Sequence, residues 1–187
     1  MRLSYKWVNR DEFDRVYKAL HPKIFTASYH IPLTPVLTPE EVHERHRSFN
    51  ANAFFNLVVY DGTHPVAYSQ SVVNYGGRLH MRQSGVLPRY RRKGIYAQML
   101  RKVIARAKKE GLGTLTSNHH ITNNAIIIAK LKSGFTVSGL QQTPESGLLL
   151  QLVYYINPSV DKLYRFRAGA TQLDKKLAKR LKTNPLR

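Results

Sequence analysis

Eleven residues decide how this 187-residue chain is interpreted: Val86-Leu87-Pro88-Arg89-Tyr90-Arg91-Arg92-Lys93-Gly94-Ile95-Tyr96. Pro88 ends a predicted strand, and apolar residues recur at helical spacing after Gly94. The N-terminus of a helix carries backbone N–H groups without helical partners and the positive end of the helix dipole. These groups, with the charges of Arg91, Arg92 and Lys93, predict a site for an anion such as pyrophosphate. The alternative is a basic helix start that binds no ligand.

The same segment differs from two common phosphate-binding motifs. It lacks the Gly-Lys-Ser/Thr ending of a Walker A loop. Gly94 is its only glycine, whereas a dinucleotide-binding fingerprint needs three. Nucleotide binding of either kind is therefore not expected here.

Hydrophobic periodicity predicts seven strands and four helices in the order β-α-α-βββ-α-β-α-ββ. The predicted strands cover residues 3–8, 54–60, 65–75, 78–87, 114–118, 135–140 and 148–156. The first predicted helix follows an N-cap at Asn9 and ends before Pro22, and the others cover 38–49, 95–107 and 123–132. A proline-rich loop is expected over 22–37. This order predicts an α/β (mixed α+β) fold, in which helices flank a central, largely antiparallel sheet of about seven strands.

The composition is strongly basic. The chain holds 30 Lys and Arg against 11 Asp and Glu, a formal net charge of +19. This charge favours an anionic partner, namely nucleic acid, a membrane surface or a phosphorylated ligand, and it disfavours a polycationic substrate. A generally basic proteome is the alternative explanation. The absence of cysteine excludes a disulfide framework, a thiolate metal site and a cysteine nucleophile.

The sequence pattern favours a cytoplasmic protein with one main domain. The N-terminal residues contain no apolar signal segment, and no window approaches the roughly 18 uncharged apolar residues of a membrane span. The last 31 residues differ in composition, with nine Lys and Arg against two Asp over 157–187. Leu173, Leu177 and Leu181 recur every four residues there, which predicts a basic amphipathic helix. That helix either packs its leucines on the domain or binds a nucleic acid or another partner.

The pattern Val-x-Pro-x-x-Arg-x-x-Gly-Ile over 86–95 resembles the acyl-CoA-binding motif of the GNAT superfamily of N-acetyltransferases. The family's Arg/Gln-x-x-Gly-x-Gly/Ala falls on Arg91, Gly94 and Tyr96, where the tyrosine replaces the usual small residue. A second segment, Asn123 or Asn124 followed by a helix and Gly134-Phe135, is also similar to the family. The resemblance covers residues 1–156, so residues 157–187 are predicted to be a basic C-terminal extension.

The resemblance implies that acetyl-CoA is the acyl donor and that no metal takes part. The family separates its fourth and fifth strands, here 78–87 and 113–118, and acyl-CoA lies in the opening. A backbone N–H near Val86 or Leu87 would polarise the thioester carbonyl. Direct transfer to an amine acceptor is expected. The implied cofactor-binding residues are Val86, Leu87, Arg91, Arg92, Lys93, Gly94, Ile95, Tyr96, Asn123 and Asn124.

Three histidines are candidates for the base that deprotonates the acceptor amine, because imidazole titrates near neutral pH. His80 lies on the predicted fourth strand, and His119 and His120 follow the predicted fifth strand. For each, the alternative is a hydrogen-bonded histidine at a strand end. A metal site at His119 and His120 is not expected, since neighbouring strand residues point to opposite faces and no acid lies nearby.

The proton donor is where the sequence departs from the family pattern. The family often has a tyrosine four residues before the Gly-Phe pair, and this chain has Lys130 there. A lysine can donate a proton only if it is well placed and its pKa is shifted. The resemblance therefore does not transfer the acid role to Lys130.

Three functions are compatible with these observations. The favoured one is an acyl-CoA-dependent N-acetyltransferase with an unidentified acceptor. The resemblance makes a homodimer an open expectation, because many relatives dimerise. The scarcity of acids argues against polyamine and aminoglycoside acceptors and leaves a large or anionic acceptor open. The alternatives are a basic nucleic-acid-binding protein and a CoA-binding protein on the same fold without turnover.

Overall fold

The computed structural model describes residues 1–26, 38, 40 and 53–182. Within them, seven strands form one sheet: β1 Leu3–Trp7, β2 Phe54–Asp61, β3 His64–Asn74, β4 Arg78–Val86, β5 Thr114–His120, β6 Thr136–Thr143 and β7 Gly147–Tyr155. The helices of the described residues are α1 Arg10–Ile24, α2 Ile95–Lys109, α3 Asn124–Lys132, α4 Pro158–Arg167 and α5 Lys175–Leu181, with a 3-10 turn at Pro88–Tyr90. The predicted fold class is confirmed.

The sheet runs in the order β1-β2-β3-β4-β5-β7-β6. All neighbouring strands are antiparallel except β4 and β5. Parallel pairing needs a crossover connection, and α2 supplies it. The mixed, largely antiparallel sheet agrees with the sequence prediction.

The two parallel strands pair over a short length only. The pairs are Arg78 with Thr114, Leu79 with Leu115 and His80 with Thr116. Beyond them β4 continues to Val86 and β5 to His120 without pairing to each other. The sheet therefore opens between these strands, and we call the point after His80 and Thr116 the apex of the opening.

Helices cover both faces of the sheet. On one face, α1 buries Phe13 and Leu20 against Val58 and Tyr68. On the other, α2 buries apolar residues such as Met99 against the main core of the sheet. Successive strand residues point to opposite faces, so neighbours such as Ala67 and Tyr68 belong to different clusters.

Three predicted boundaries are wrong for reasons that the structure shows. The first helix does not end before Pro22 but continues to Ile24, because Ile24 is buried and the Phe25 N–H donates to the His21 carbonyl. The fifth strand does not end at residue 118, since pairing with β7 extends it to His120. The sixth strand reaches Thr143 for the same reason, which shortens the turn before β7.

The described residues 157–182 contain two helices rather than the single predicted one. Leu173 precedes α5, and together with Leu177 and Ala178 it packs against Phe166 of α4. Leu181 is exposed, so the leucine stripe is shorter than predicted. The predicted helix 38–49 and most of the predicted loop 22–37 lie outside the described residues. None of the described helices is both long and apolar enough to span a membrane.

Replacing Phe13 by Ala should destabilise the fold. Phe13 is 1% exposed and meets Tyr68 edge-on, with ring centroids 5.7 Å apart. Removing such a buried ring costs about 3–5 kcal/mol, which chemical denaturation would measure. The control is Arg15→Ala on the exposed side of α1, expected within about 0.5 kcal/mol of the parent. An equal loss of unfolding free energy in both variants would contradict the packing of Phe13 against the sheet.

Candidate functional site

A cleft of about 580 Å³ lies beside the opening in the sheet. Its walls come from the end of α1, the end of β4, the loop before α2, the start of α2 and one side of α3. Most of the lining is apolar, and Ile126 and Ala129 contribute from α3. A cleft of this size suits a long ligand with apolar and polar parts.

The loop at the mouth of the cleft holds an open helix N-terminus. Arg92 and Gly94 both have left-handed backbone conformations, with φ of 59° and 74°. Gly94 is the N-cap of α2 and has no side chain with which to cap it. The first N–H groups of α2 thus receive no cap from the Gly94 side chain, an arrangement that can accept an anion.

Arg91, which lines this cleft, also forms two hydrogen bonds that the sequence analysis did not predict. Its Nε donates to the Val86 carbonyl at 3.1 Å, and its Nη2 donates to the Ile24 carbonyl at 2.8 Å. One guanidinium therefore connects the loop, the end of β4 and the end of α1. Gly85 allows the same close approach, because a Cβ there would lie 2.8 Å from Ile24 Cγ2.

The backbone of β4 has free polar groups on the side of the opening. The Leu87 N–H donates to the Val66 carbonyl at 3.0 Å, so it points towards β3. In an antiparallel pair the direction alternates, so the amides of Ser84 and Val86 point away from β3. The expectation that Leu87 could polarise a carbonyl is therefore wrong, whereas Val86 keeps an outward-facing N–H.

Seven of the ten predicted cofactor-binding residues line the cleft: Val86, Arg91, Arg92, Gly94, Ile95, Tyr96 and Asn123. Leu87, Lys93 and Asn124 do not line it. Sequence reasoning did not assign Phe25, Ser84 or the apolar residues of α3 to the cofactor-binding cleft that they line. One sequence signal could have indicated the role of α3. The helix has apolar residues on all its sides, and some of them, such as Ile128, are exposed.

The three histidines have different surroundings. His80 lies at the last β4–β5 pair, with Nδ1 3.1 Å from Thr116 Oγ1. His119 Nε2 lies 3.1 Å from Ser117 Oγ, and His120 Nδ1 lies 2.8 Å from Thr122 Oγ1. His119 and His120 are the last residues of β5, not residues after it. None of the three lines the cleft.

Burial determines the protonation of two of these rings. Desolvation lowers the pKa of His80, and the charges of Lys130 and Arg82 lower it further. Desolvation also lowers the pKa of His119 to about 3, again with a contribution from Lys130. Both rings are therefore neutral at physiological pH.

His80 instead lines a second cleft, of about 390 Å³, on the α1 side of the sheet. Arg78, Thr114, Asn118 and Tyr155 also line it. No carboxylate is among its described lining residues. The cleft is polar and contains one permanent positive charge, so it does not favour a cationic ligand.

Lys130 is fully buried between α3 and the sheet. Its Nζ lies 3.0 Å from Met81 Sδ and 4.3 Å from the centroid of the Phe135 ring. Desolvation lowers its pKa to about 7. In the part of the chain that the structure describes, no group of three or more His, Asp or Glu side chains could hold a metal ion.

The neutral state of His119 makes stability depend on pH. Its pKa is about 6.5 in the unfolded chain and about 3 in the folded one. The unfolded state binds the proton more readily, so the free energy of unfolding should fall as pH drops from about 6.5 towards 3. Replacing His119 by Gln should weaken this dependence, as measured by denaturation at several pH values. An unchanged slope, or an imidazolium signal for His119 in NMR spectra at pH 5, would contradict the assignment.

Comparison of the fold with solved structures finds many similar chains. The ribosomal-protein-S18-alanine N-acetyltransferase of Escherichia coli is 16% identical, with a TM-score of 0.61 over 83% of this chain and 95% of that one. The yncA protein of Salmonella typhimurium, solved with its cofactor acetyl-CoA, is 12% identical, with a TM-score of 0.63 over 84% of this chain and 95% of that one. The PaiA N-acetyltransferase of Thermoplasma acidophilum, solved with coenzyme A, is 13% identical, with a TM-score of 0.58 over 81% of this chain and 98% of that one.

At these identities the structural comparisons show a shared fold. No curated protein matches the sequence. The family model described as the acetyltransferase (GNAT) family matches residues 17–135. This range includes β4, the helix α3 and the loop that precedes α2. The match covers more than half of the chain and confirms the resemblance found in the sequence. The chain belongs to the GNAT family of acetyltransferases.

Proposed function

We propose that this chain transfers an acetyl group from acetyl-CoA directly to an amine acceptor. The observation that carries the proposal is the cleft itself, which joins an uncapped helix N-terminus to the unpaired edge of β4. One end suits a pyrophosphate, and the other suits an extended amide-bearing chain. Coenzyme A contains both groups in this order.

The donor would lie along the cleft in an extended form. The N–H groups of Gly94, Ile95 and Tyr96 would bind the pyrophosphate, with the charges of Arg92 and Lys93 nearby. The pantetheine arm would pair with the outward-facing amides of Ser84 and Val86. One of these N–H groups, with Ser84 nearer the apex, would polarise the thioester carbonyl. Asn123 lines the same cleft and is proposed to contact the arm.

The acceptor would approach from the α1 side of the sheet, through the second cleft. An amine attacks only when it is neutral, so a base near the apex is useful. His80 is proposed for this role because it lines that cleft and its lowered pKa keeps the ring unprotonated at physiological pH. His120 shares that side of β5 by alternation and is a second candidate. His119, with a pKa of about 3, is a weak base.

The charge of the second cleft bears on the acceptor. Arg78 and His80 line it, and its described lining contains no acid. We therefore propose a neutral or anionic acceptor, including an amine on a protein or bound to RNA, rather than a polyamine. A cytoplasmic location fits acetyl-CoA as donor, and a homodimer is proposed by analogy with many family members.

The C-terminal extension is proposed to start at Asn157 and to bind an anionic partner. Both of its acids are already paired, Asp161 with Arg165 and Asp174 with Lys162, each at 2.8 Å. The other basic side chains of 157–182 have no acid left within the extension. A steep loss of binding with salt would identify nucleic acid as that partner.

Calorimetric titration with acetyl-CoA tests the proposed donor site. The parent protein should bind it, and Gly94→Asp should abolish the binding because it puts a carboxylate at the proposed pyrophosphate site. A dissociation constant in the micromolar range would correspond to a binding free energy of about −8 kcal/mol. Absence of heat with a folded parent protein would contradict the proposed function.

Gly62→Asp is the matched control for this substitution. Gly62 also has a left-handed conformation, with φ of 60°, and an added Cβ meets nothing within 4 Å at either position. Gly62 lies in the turn between β2 and β3, away from the cleft. This variant should bind acetyl-CoA like the parent, so equal loss in both variants would point to backbone strain instead of the site.

A further inference from the structure

Lys130 is a buried charged group without an evident structural reason. It is 1% exposed, and among the described residues no carboxylate forms an ion pair with it. Its Nζ has the Met81 thioether and the Phe135 ring as close neighbours. An apolar side chain of similar length would avoid the desolvation cost of the amine. Keeping an amine at this position therefore suggests a use for its proton.

The position of the amine is defined by the sheet. Met81 is the first β4 residue after the last β4–β5 pair, so Nζ lies at the apex of the opening. Next to Met81, a bulge shifts the β3–β4 register opposite Gln70 and Ser71. On α3, Lys130 follows Ala129 and lies one turn after Ile126, and both of these line the cleft. A chain threaded along β4 from the helix N-terminus would approach this amine with its far end.

Few other groups at the apex could supply a proton. The charge of Lys130 acts on His80 of β4 and on His119 of β5, and Arg82 of β4 acts on His80. Both imidazoles are neutral at physiological pH, so neither carries the extra proton that an imidazolium could donate. A guanidinium does not release its proton in practice. Among the described groups at the apex, Lys130 alone can both hold and release a proton near neutral pH.

We propose that the Lys130 ammonium donates a proton to the sulfur of coenzyme A as the thiolate leaves. This inference rests on the proposed function. The acceptor nitrogen forms a bond to the acetyl carbon, the carbon–sulfur bond breaks, and its electron pair goes to sulfur. The Nζ proton then moves to sulfur and gives the thiol and a neutral amine. The proton lost by the acceptor passes to the neutral imidazole of His80 and on to solvent, and Lys130 takes a proton back from solvent.

The energetics agree with this direction of transfer. The pKa of Lys130 is about 7, whereas an ordinary thiol has a pKa of about 8.5. A proton therefore moves from the ammonium to the thiolate with a favourable free energy. The product is a neutral amine, which a dry apolar site accommodates better than an ammonium.

Three variants test the role of this proton. Lys130→Met removes the amine and keeps the length, and Lys130→Gln is a second variant that keeps a polar end. Lys130→Arg keeps the charge but cannot release the proton. Lys132→Met is the matched control, because Lys132 is exposed on the same helix. Because Lys130→Met removes a buried charge, it should fold and should raise the melting temperature at pH 7.

The readouts are acetyl-CoA affinity by calorimetry and kcat with an amine that the parent protein acetylates. We expect kcat to fall about 10²–10⁴-fold in all three Lys130 variants. Affinity for acetyl-CoA should stay within about twofold in Lys130→Met. The ratio of parent kcat to Lys130→Met kcat should decrease as pH rises above about 7, since the parent loses the Nζ proton there. The acceptor amine ionises to the same extent in both reactions, so its own pH dependence cancels in this ratio.

Other outcomes would overturn the inference. If Lys130→Met or Lys130→Arg turns over like the parent, Lys130 is not the proton donor, while the proposed function stands. If mass spectrometry finds an acetyl group on Lys130 after incubation with acetyl-CoA, the amine is a nucleophile instead. If the parent binds acetyl-CoA but acetylates no amine, the proposed function fails and this inference fails with it.

Discussion

The short pairing of β4 with β5 is the constraint on which the rest of the structure depends. Three residue pairs hold the two halves of the sheet together, and then the strands part. A parallel strand normally satisfies its N–H and C=O groups on both sides, so the separation leaves polar backbone on β4 without a strand partner. Arg91 takes the Val86 carbonyl, and the outward N–H groups of Ser84 and Val86 are left for a ligand. The cleft is thus a consequence of the topology and not of one particular side chain.

The opening also determines what the side chains around it can do. Near the apex the site is dry, and the pKa values of His80, His119 and Lys130 are all lowered by burial. Burial keeps the two histidines neutral at physiological pH and lowers the pKa of Lys130 to about 7, so one physical cause acts on all three groups. At the outer end, the open start of α2 and exposed basic residues favour an anion. A ligand that is anionic at one end and reactive at the other would use both ends of the cleft.

The sequence was sufficient for the parts of the structure that depend on local patterns. Alternation and helical spacing predicted the seven strands of the described residues, and the segment from Val86 to Tyr96 predicted an anion site and the family, of which the family is confirmed. It could not show that Arg91 turns inward to Ile24, because that contact joins residues 67 positions apart. Nor could it show that the Leu87 N–H pairs with Val66, since this depends on the register of β3 and β4. The environment of Lys130 was hidden for the same reason, because burial comes from Met81 and Phe135 on other elements.

The most direct test of this account is amide hydrogen exchange of β4, with and without acetyl-CoA. Gly85 and Leu87 point towards β3 and should be protected in both states. Ser84 and Val86 face the opening, so they should exchange faster in the free protein and become protected when acetyl-CoA binds. If acetyl-CoA binds and the exchange of Ser84 and Val86 does not change, the ligand does not pair with β4, and the central claim is wrong.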